Sequence, residues 1–202
     1  YGIDPRRPGA AKKFEKAIKE YGIRGLKLHS AVGFSPYDKS CYSLYELCIS
    51  HQLPVLFHCG LAFHPLLYNR FTHPLEFDQV ATDFPKLNMI LGHAGHDWWA
   101  DAIAVAKNHP NVFLEMSEWQ PTYAENNEEF SRAIFNMCRS LGSDRIIWGS
   151  DFPGLRKWMS LGKWIDVFKD LPSIGHKFGY KFTDVDIEKI LGVNASHILK
   201  LP

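Results

Sequence analysis

Side chains that can bind a metal ion or move a proton follow four short apolar segments of this 202-residue sequence. They are His29 after "GLKL", His58 after "PVLF", His93 after "MILG" and Asp151 after "IIWGS". A fifth apolar segment, "NVFLEMSEW", offers Glu115 and Ser117. Neutral imidazole and carboxylate oxygen are the usual ligands of a catalytic zinc or similar divalent ion. A shared site therefore requires a fold that brings the ends of these segments together.

The order of helices and strands predicted along the chain supplies such a fold. The segment "PGAAKKFEKAIKEYG" places apolar residues at helical spacing, with Gly22 as a left-handed stop, and Ser35 and Pro36 are expected to begin the second helix. Short apolar strands and helices then alternate, which favours parallel strands joined by crossover helices. In an α/β barrel of the triosephosphate isomerase type, (β/α)8, the strands converge with their carboxyl ends on the face where active sites are built. The sequence thus predicts the three histidines and Asp151 on one face.

Bulk composition excludes several classes of protein. With 46% hydrophobic and 14% aromatic residues, the chain can bury a large core, and we interpret residues 1–202 as a single domain. A formal net charge of +1 without a basic stripe argues against a nucleic-acid partner. The four cysteines have neither zinc-knuckle spacing nor the density of a disulfide scaffold, so we expect reduced thiols and a cytoplasmic protein. No apolar run approaches the ~20 residues of a membrane span, so no membrane partner is predicted.

Six segments together carry a resemblance to a known family, and their order and spacing are specific. They are "GIRGLKLH", "LPVLFHCG", "HPLEFDQVATDFPKLNMILGHAG", "HPNVFLEMSEW", "DRIIWGSDFP" and "ILGVNASHILKL". The chain resembles the second half of an amidohydrolase-related metal-dependent hydrolase, the family that includes aminocarboxymuconate-semialdehyde decarboxylase and several lactonases. The resemblance implies strands four to eight of a (β/α)8 barrel, with His58 ending the fifth, His93 the sixth and Asp151 the eighth.

The resemblance also implies a role for each of these residues. His58 and Asp151 would be ligands of one divalent metal ion, Zn²⁺ with Mn²⁺ as the alternative, and Asp151 would also act on the attacking water. His93 would be the catalytic histidine that polarises a substrate carbonyl or passes a proton. The family's His-x-His ligand pair on the first strand has no match here, and a barrel of this type typically needs ~250 residues. We therefore expect a fragment of a longer protein that lacks the N-terminal strands and is inactive alone.

Four further residues are candidates for contact with a substrate: Lys27, His29, Arg70 and Trp98. Alternation along "GLKLH" points Lys27 and His29 into the barrel. Lys27 then either pairs with an interior carboxylate such as Glu115 or is carboxylated and bridges two metals, as in other amidohydrolase relatives. Arg70, on the long loop "CGLAFHPLLYNRFTHP", either binds a substrate carboxylate or stays on the surface. Trp98, where the helix after "GHAGHD" starts, either walls the pocket or joins the core.

These expectations leave the reaction open between alternatives. We favour hydrolysis of a lactone, an amide or a similar carbonyl compound by metal-activated water. Non-oxidative decarboxylation of a carboxylated small molecule would use the same metal and the same histidine. A non-catalytic barrel fragment, or a subunit whose site needs a partner chain, is the remaining alternative. The predicted partner is a small-molecule substrate, and the sequence leaves a homo-oligomer open.

Overall fold

Five short parallel strands form one sheet in the computed structural model, which describes residues 1–201. The strands are β1 (Leu26–Leu28), β2 (Val55–Phe57), β3 (Met89–Leu91), β4 (Val112–Glu115) and β5 (Ile146–Ile147). Each strand pairs with its neighbours in chain order. A parallel bridge between Gly2 and Lys27 adds the first residues to the free side of β1. The predicted parallel α/β arrangement is therefore confirmed.

Helices separate the strands, as the sequence predicts. They are α1 (Ala10–Tyr21), α2 (Lys39–His51), α3 (Asp78–Asp83), α4 (Trp99–Asn108), α5 (Gln120–Glu125), α6 (Asn127–Leu141), α7 (Leu161–Lys169), α8 (Leu171–His176), α9 (Asp184–Glu188) and α10 (Asn194–Leu199). Gly22 ends α1 with a φ of 63°, which confirms the predicted left-handed stop. The region of α7 and α8 was not predicted as helical, although α7 has an amphipathic pattern that buries Trp164, Val167 and Phe168.

The predicted start of α2 is wrong by three residues. The helix begins at Lys39, and its N-cap is Asp38, whose carboxylate accepts a hydrogen bond of 2.8 Å from the amide of Ser40. The charged carboxylate satisfies the free amides of the first turn and suits the positive end of the helix dipole. Pro36 stays outside the helix, where its carbonyl accepts a hydrogen bond from the buried hydroxyl of Tyr45.

The two faces of the sheet bury different partners. On one face, alternating strand residues that include Leu28, Phe57, Leu91 and Leu114 pack fully buried in the main core between the sheet and the surrounding helices. The opposite face carries a smaller cluster of Ile90, Ile147 and Ile198, so α10 lies against it. This alternation follows from the pleat, which sends successive side chains to opposite faces.

The last helix is fixed to the start of β5 by one side chain. The amide nitrogen of Asn194 donates to the carbonyls of Ser143 and Ile146, both at 2.7 Å. These bonds satisfy two buried backbone acceptors that the short strand leaves free. Asn194 therefore sets the end of the chain beside the strand that leads to Asp151.

Within residues 1–201, no helix is long and apolar enough to cross a membrane. All four cysteines are free thiols, as expected from their spacing.

Candidate functional site

Two buried histidines meet directly at the carboxyl end of the sheet. His58 follows β2 and His93 follows β3, and Nδ1 of His58 lies 3.0 Å from Nε2 of His93. His29, which follows β1, stacks on His58 with ring centroids 4.2 Å apart and planes at 18°. The parallel strands therefore bring the three predicted imidazoles into one contiguous group.

A buried carboxylate supports this group from the end of β4. Glu115 accepts hydrogen bonds from the backbone amides of His93 (3.1 Å) and Ser117 (2.9 Å) and from the hydroxyl of Ser117 (2.8 Å). The same hydroxyl oxygen lies 2.9 Å from Nδ1 of His93. A continuous chain of hydrogen bonds thus runs from Glu115 through Ser117 and His93 to His58.

Burial keeps the histidines neutral at physiological pH. Desolvation, followed by the neighbouring His93, His29 and Lys27, lowers the pKa of His58 to about 2. Desolvation and then the positive charge of Lys27 lower the pKa of His93 to about 3. Desolvation also lowers the pKa of His29. Neutral imidazole is the form that binds a metal ion, so the group is ready to act as a ligand without first releasing a proton.

The turn after β3 holds an unusual backbone conformation. His93, Ala94, Gly95 and His96 all have positive φ, at 60°, 49°, 78° and 46°. Such conformations cost a non-glycine residue of order 1–3 kcal/mol each and cluster at functional sites. Gly92 precedes them where an added Cβ would lie 2.8 Å from a backbone carbonyl oxygen of β2. The glycine-rich turn therefore serves close packing of His93 against its neighbours.

A pair of acidic residues, Glu118 and Asp151, lies on the solvent side of the histidines. The carboxylate of Glu118 lies 3.5 Å from Nδ1 of His93, and that of Asp151 lies beside it. Desolvation, followed by the negative charges of Asp151 and Glu115, raises the pKa of Glu118 to about 7. Both Glu118 and Asp151 have positive φ, at 66° and 46°. At neutral pH this pair therefore holds a proton for part of the time.

A cavity of about 450 Å³ opens next to this acidic pair. Its lining residues are Phe63, His96, Glu118, Pro121, Asp151, Gly154, Leu155, Lys157 and Trp158. Aromatic walls, one lysine and two carboxylates suit a small organic molecule with a polar reacting group. A molecule bound in this cavity would contact Asp151.

The raised pKa of Glu118 predicts a specific dependence of stability on pH. Below pH 4.5 both folded and unfolded states are protonated, whereas between about 4.5 and 7 only the folded state keeps the proton. Stability should therefore fall as the pH rises through this window. Because glutamine does not titrate, Glu118→Gln should be more stable than the wild type by about 1–3 kcal/mol at pH 8 and no more stable at pH 4.

Urea unfolding between pH 4 and 8, with a chelator present, measures this difference. The exposed Glu46 lies in the middle of α2, so Glu46→Gln is the matched control and should follow the wild-type curve. Parallel curves for wild type and Glu118→Gln would contradict the prediction.

The remaining substrate candidates occupy different places. Lys27 points to the sheet face opposite the main core and, with His29, lines an opening beside the first residues of the chain. Desolvation lowers the pKa of Lys27, and the charges of Glu115 and Asp151 oppose that shift. Among residues 1–201, no ion pair joins Lys27 to Glu115, so the predicted direct pairing is wrong; the charge of Glu115 acts on Lys27 only at longer range.

Arg70 and Trp98 pack on aromatic neighbours outside the cavity lining. The guanidinium of Arg70 lies 4.4 Å from the ring centre of Phe71 and 5.9 Å from that of Tyr68. Trp98 is half-buried against His73, with ring centroids 4.7 Å apart. A substrate role for either residue stays a prediction.

The residues present provide part of a metal site. Nε2 of His58 is buried and has no hydrogen-bond partner in residues 1–201, and its other ring nitrogen is held by His93. A ring nitrogen without a hydrogen is of the correct chemical type for a metal ligand. Yet no three His, Cys, Asp or Glu side chains in that part of the chain lie close enough together to hold a metal ion. Residues 1–201 therefore offer His58 as a candidate ligand without a complete ligand set around it.

Sequence reasoning missed several residues of the site. Ser117 and Glu115 were noted at the end of a strand, and their spacing of two does place them on one face. Glu118 and Lys157, which line the cavity, carried no signal in the sequence. No local pattern marks Glu118, because its position depends on a left-handed turn after β4.

Comparisons with known proteins are consistent with this architecture. The sequence profile of the amidohydrolase family matches residues 2–201. An uncharacterised TIM-barrel protein from Bordetella bronchiseptica is similar in structure, with 25% identity and a TM-score of 0.74. The match covers 99% of this chain and 65% of that protein, so this chain spans about two thirds of its length.

Two further solved structures share the fold at lower identity. The 5-carboxyvanillate decarboxylase from Sphingomonas paucimobilis has a TM-score of 0.67 at 14% identity, over 100% of this chain and 66% of that one. An amidohydrolase from Burkholderia multivorans with bound zinc has a TM-score of 0.72 at 14% identity, over 99% and 72%. No curated protein sequence matches the chain. The predicted barrel architecture is therefore confirmed by its structural neighbours.

Proposed function

The chain belongs to the amidohydrolase family, and from this premise we propose that its site serves a metal-dependent hydrolase acting on a lactone, an amide or a similar carbonyl compound. The observation that carries the proposal is the free Nε2 of the buried His58. A buried ring nitrogen without a partner is costly unless something binds it. Neutral His93 and the carboxylate of Asp151 supply the remaining acid–base chemistry of such a site.

We assign the metal ion to His58 and Asp151, completed by ligands from outside residues 1–201. Zinc is the favoured ion and manganese the alternative, because imidazole and carboxylate donors suit both. When bound, a divalent ion supplies Lewis acidity, which polarises a carbonyl and lowers the pKa of water toward ~7.

Proton transfer in the proposal runs along the acidic pair. The carboxylate of Asp151 takes a proton from the attacking water, and Glu118, with a pKa of about 7, accepts it and returns it to the leaving group. His93 lies beside this pair, with Nδ1 3.5 Å from the carboxylate of Glu118, so a proton can pass between the two groups. The aromatic rings of Phe63 and Trp158 offer apolar contact surface for the substrate.

One observation favours decarboxylation as the second candidate. A carboxylic acid that is protonated near pH 7 can deliver its proton to the carbon atom that loses carbon dioxide, and Glu118 meets this requirement beside the cavity. Hydrolysis and decarboxylation differ in their products, so assays separate them. The intact gene product should be loaded with zinc or manganese and tested for acid release from lactones and amides, and for carbon dioxide release from carboxylated aromatic compounds. Turnover of neither panel would refute the proposal.

Residues 1–202 expressed alone are expected to bind zinc weakly and to show no turnover. A catalytic zinc usually takes three protein ligands and leaves one position for water, and this chain offers two by our assignment. Calorimetric titration with zinc, together with the lactone panel, measures both quantities. Tight one-to-one binding with turnover would show that these residues build a complete site.

A further inference from the structure

The hydrogen bonds around His93 have a direction, and that direction determines which ring nitrogens carry protons. We propose that Glu115, acting through Ser117, holds the proton of His93 on Nδ1 and thereby holds the proton of His58 on Nδ1 as well. His58 then presents an unshared electron pair at Nε2. Glu115 and Ser117 are therefore positioning residues, since neither reaches the cavity lining.

The hydroxyl of Ser117 donates its proton to the carboxylate of Glu115. Three donors converge on the carboxylate of Glu115. Two of them are backbone amides, which can donate a hydrogen bond but cannot accept one. The ammonium of Lys27 adds a favourable charge from β1. Burial raises the pKa of Glu115, but these hydrogen bonds and the charge of Lys27 oppose that shift and favour the acceptor-only carboxylate. The single proton of the Ser117 hydroxyl therefore points to Glu115, at 2.8 Å.

The hydroxyl oxygen of Ser117 is left as an acceptor for Nδ1 of His93. Its hydroxyl oxygen has already donated its proton, so it can only accept at the 2.9 Å contact with His93. Nδ1 of His93 must carry the hydrogen that fills this contact. Glu118, whose carboxylate lies 3.5 Å from the same nitrogen, favours the proton there as well.

The proton on Nδ1 of His93 also fixes the proton of His58. A neutral imidazole has one proton, so Nε2 of His93 is an acceptor. It lies 3.0 Å from Nδ1 of His58, which must then be the donor. The proton of His58 is consequently on Nδ1. Reversing every bond would instead put an N–H at Nε2 of His58, where a buried donor would have no acceptor in residues 1–201.

This arrangement has a consequence for metal binding, and that consequence rests on the proposed function. A histidine that donates one ring N–H to a fixed acceptor has its other nitrogen oriented and available as a ligand. Loss of such a supporting contact typically costs ~10–100-fold in metal affinity. Ser117 should therefore affect zinc binding although it does not touch the ion.

Nuclear magnetic resonance of the metal-free chain, labelled with ¹⁵N in histidine, tests the tautomers directly. Long-range proton–nitrogen correlations distinguish a protonated ring nitrogen from a bare one, and single histidine substitutions assign the signals. We expect both His58 and His93 to carry hydrogen on Nδ1 at pH 7. Hydrogen on Nε2 of either ring in the wild type would overturn the proposal, whatever the variants show.

Ser117→Ala removes the acceptor, so a measurable fraction of His93 and His58 should move its proton to Nε2. Ser117→Thr keeps the hydroxyl and should keep the wild-type pattern. Ser131 is also fully buried, with its hydroxyl bonded to Asn127, and Ser131→Ala is the matched control with no expected change. Wild-type tautomers in a folded Ser117→Ala would overturn the inference.

A zinc titration separates this inference from the proposed function. Ser117→Ala should bind zinc ~10–100-fold more weakly than the intact wild-type protein, while Ser117→Thr and Ser131→Ala should not. If the tautomers are as proposed but the intact wild type binds no zinc, the proposed function fails and the positioning role stands. If the intact wild type binds zinc but its histidines carry the opposite tautomers, the positioning role fails and the proposed function stands.

Discussion

His58→Ala is expected to lose bound metal and activity together, whereas His93→Ala loses activity and keeps its metal at saturating zinc. The free Nε2 of His58 is the ligand that the site supplies from β2, so its removal leaves too few donors for firm binding. Both ring nitrogens of His93 already contact protein side chains, Ser117 and His58, so its removal does not take away a ligand. Loss of a proton-transfer group typically costs ~10²–10⁴-fold in rate.

Metal analysis and turnover of the intact protein measure these two effects side by side. Asp151→Ala should resemble His58→Ala, because both are assigned to the ion. His64 is exposed on the loop after β2, and His64→Ala should match the wild type in both measurements. Equal metal loss in the His58, His93 and Asp151 variants would refute a separate role for His93.

Gly149→Ala is expected to destabilise the fold by about 3–5 kcal/mol. A Cβ at this position would lie 1.4 Å from Oε1 of Glu115 and 2.5 Å from its Cδ. The carboxylate would have to leave its contacts with Ser117 and His93, which would strand buried polar groups. Denaturant unfolding gives the free energy, and near-ultraviolet circular dichroism reports whether the core still packs.

Gly162 provides the matched control for this substitution. It lies in the first turn of α7, and nothing stands within 4 Å of a Cβ added there. Gly162→Ala should leave the stability unchanged or raise it by up to about 1 kcal/mol, because alanine is the better helix former. A Gly149→Ala protein as stable as Gly162→Ala would show that Glu115 can move at little cost.

The sequence was sufficient to predict the fold because its signals are local and repeated. Short apolar runs separated by amphipathic helices specify parallel pairing, and each run ends at the residue that the strand presents to the shared edge. His29, His58 and His93 could thus be predicted to meet. Gly22 could be predicted as the end of α1 because helices commonly end in a left-handed residue, which is usually glycine.

The finer chemistry of the site depends on tertiary contacts that no local pattern encodes. Glu118 reaches His93 only because its own backbone adopts a left-handed conformation, which is rare for glutamate. Gly149 could not be distinguished from an ordinary loop glycine until Glu115 was seen lying over it. The start of α2 was misplaced because both Ser35 and Asp38 are good caps, and packing decides between them.

The pairing of β1 to β5 in chain order gives the sheet the character of a linear array. Each interior strand is hydrogen-bonded to the strand before it and the strand after it. His58 and His93 follow adjacent interior strands, and the pairing of Phe57 with Leu91 sets their register. A change confined to an edge strand should therefore leave these two rings facing each other.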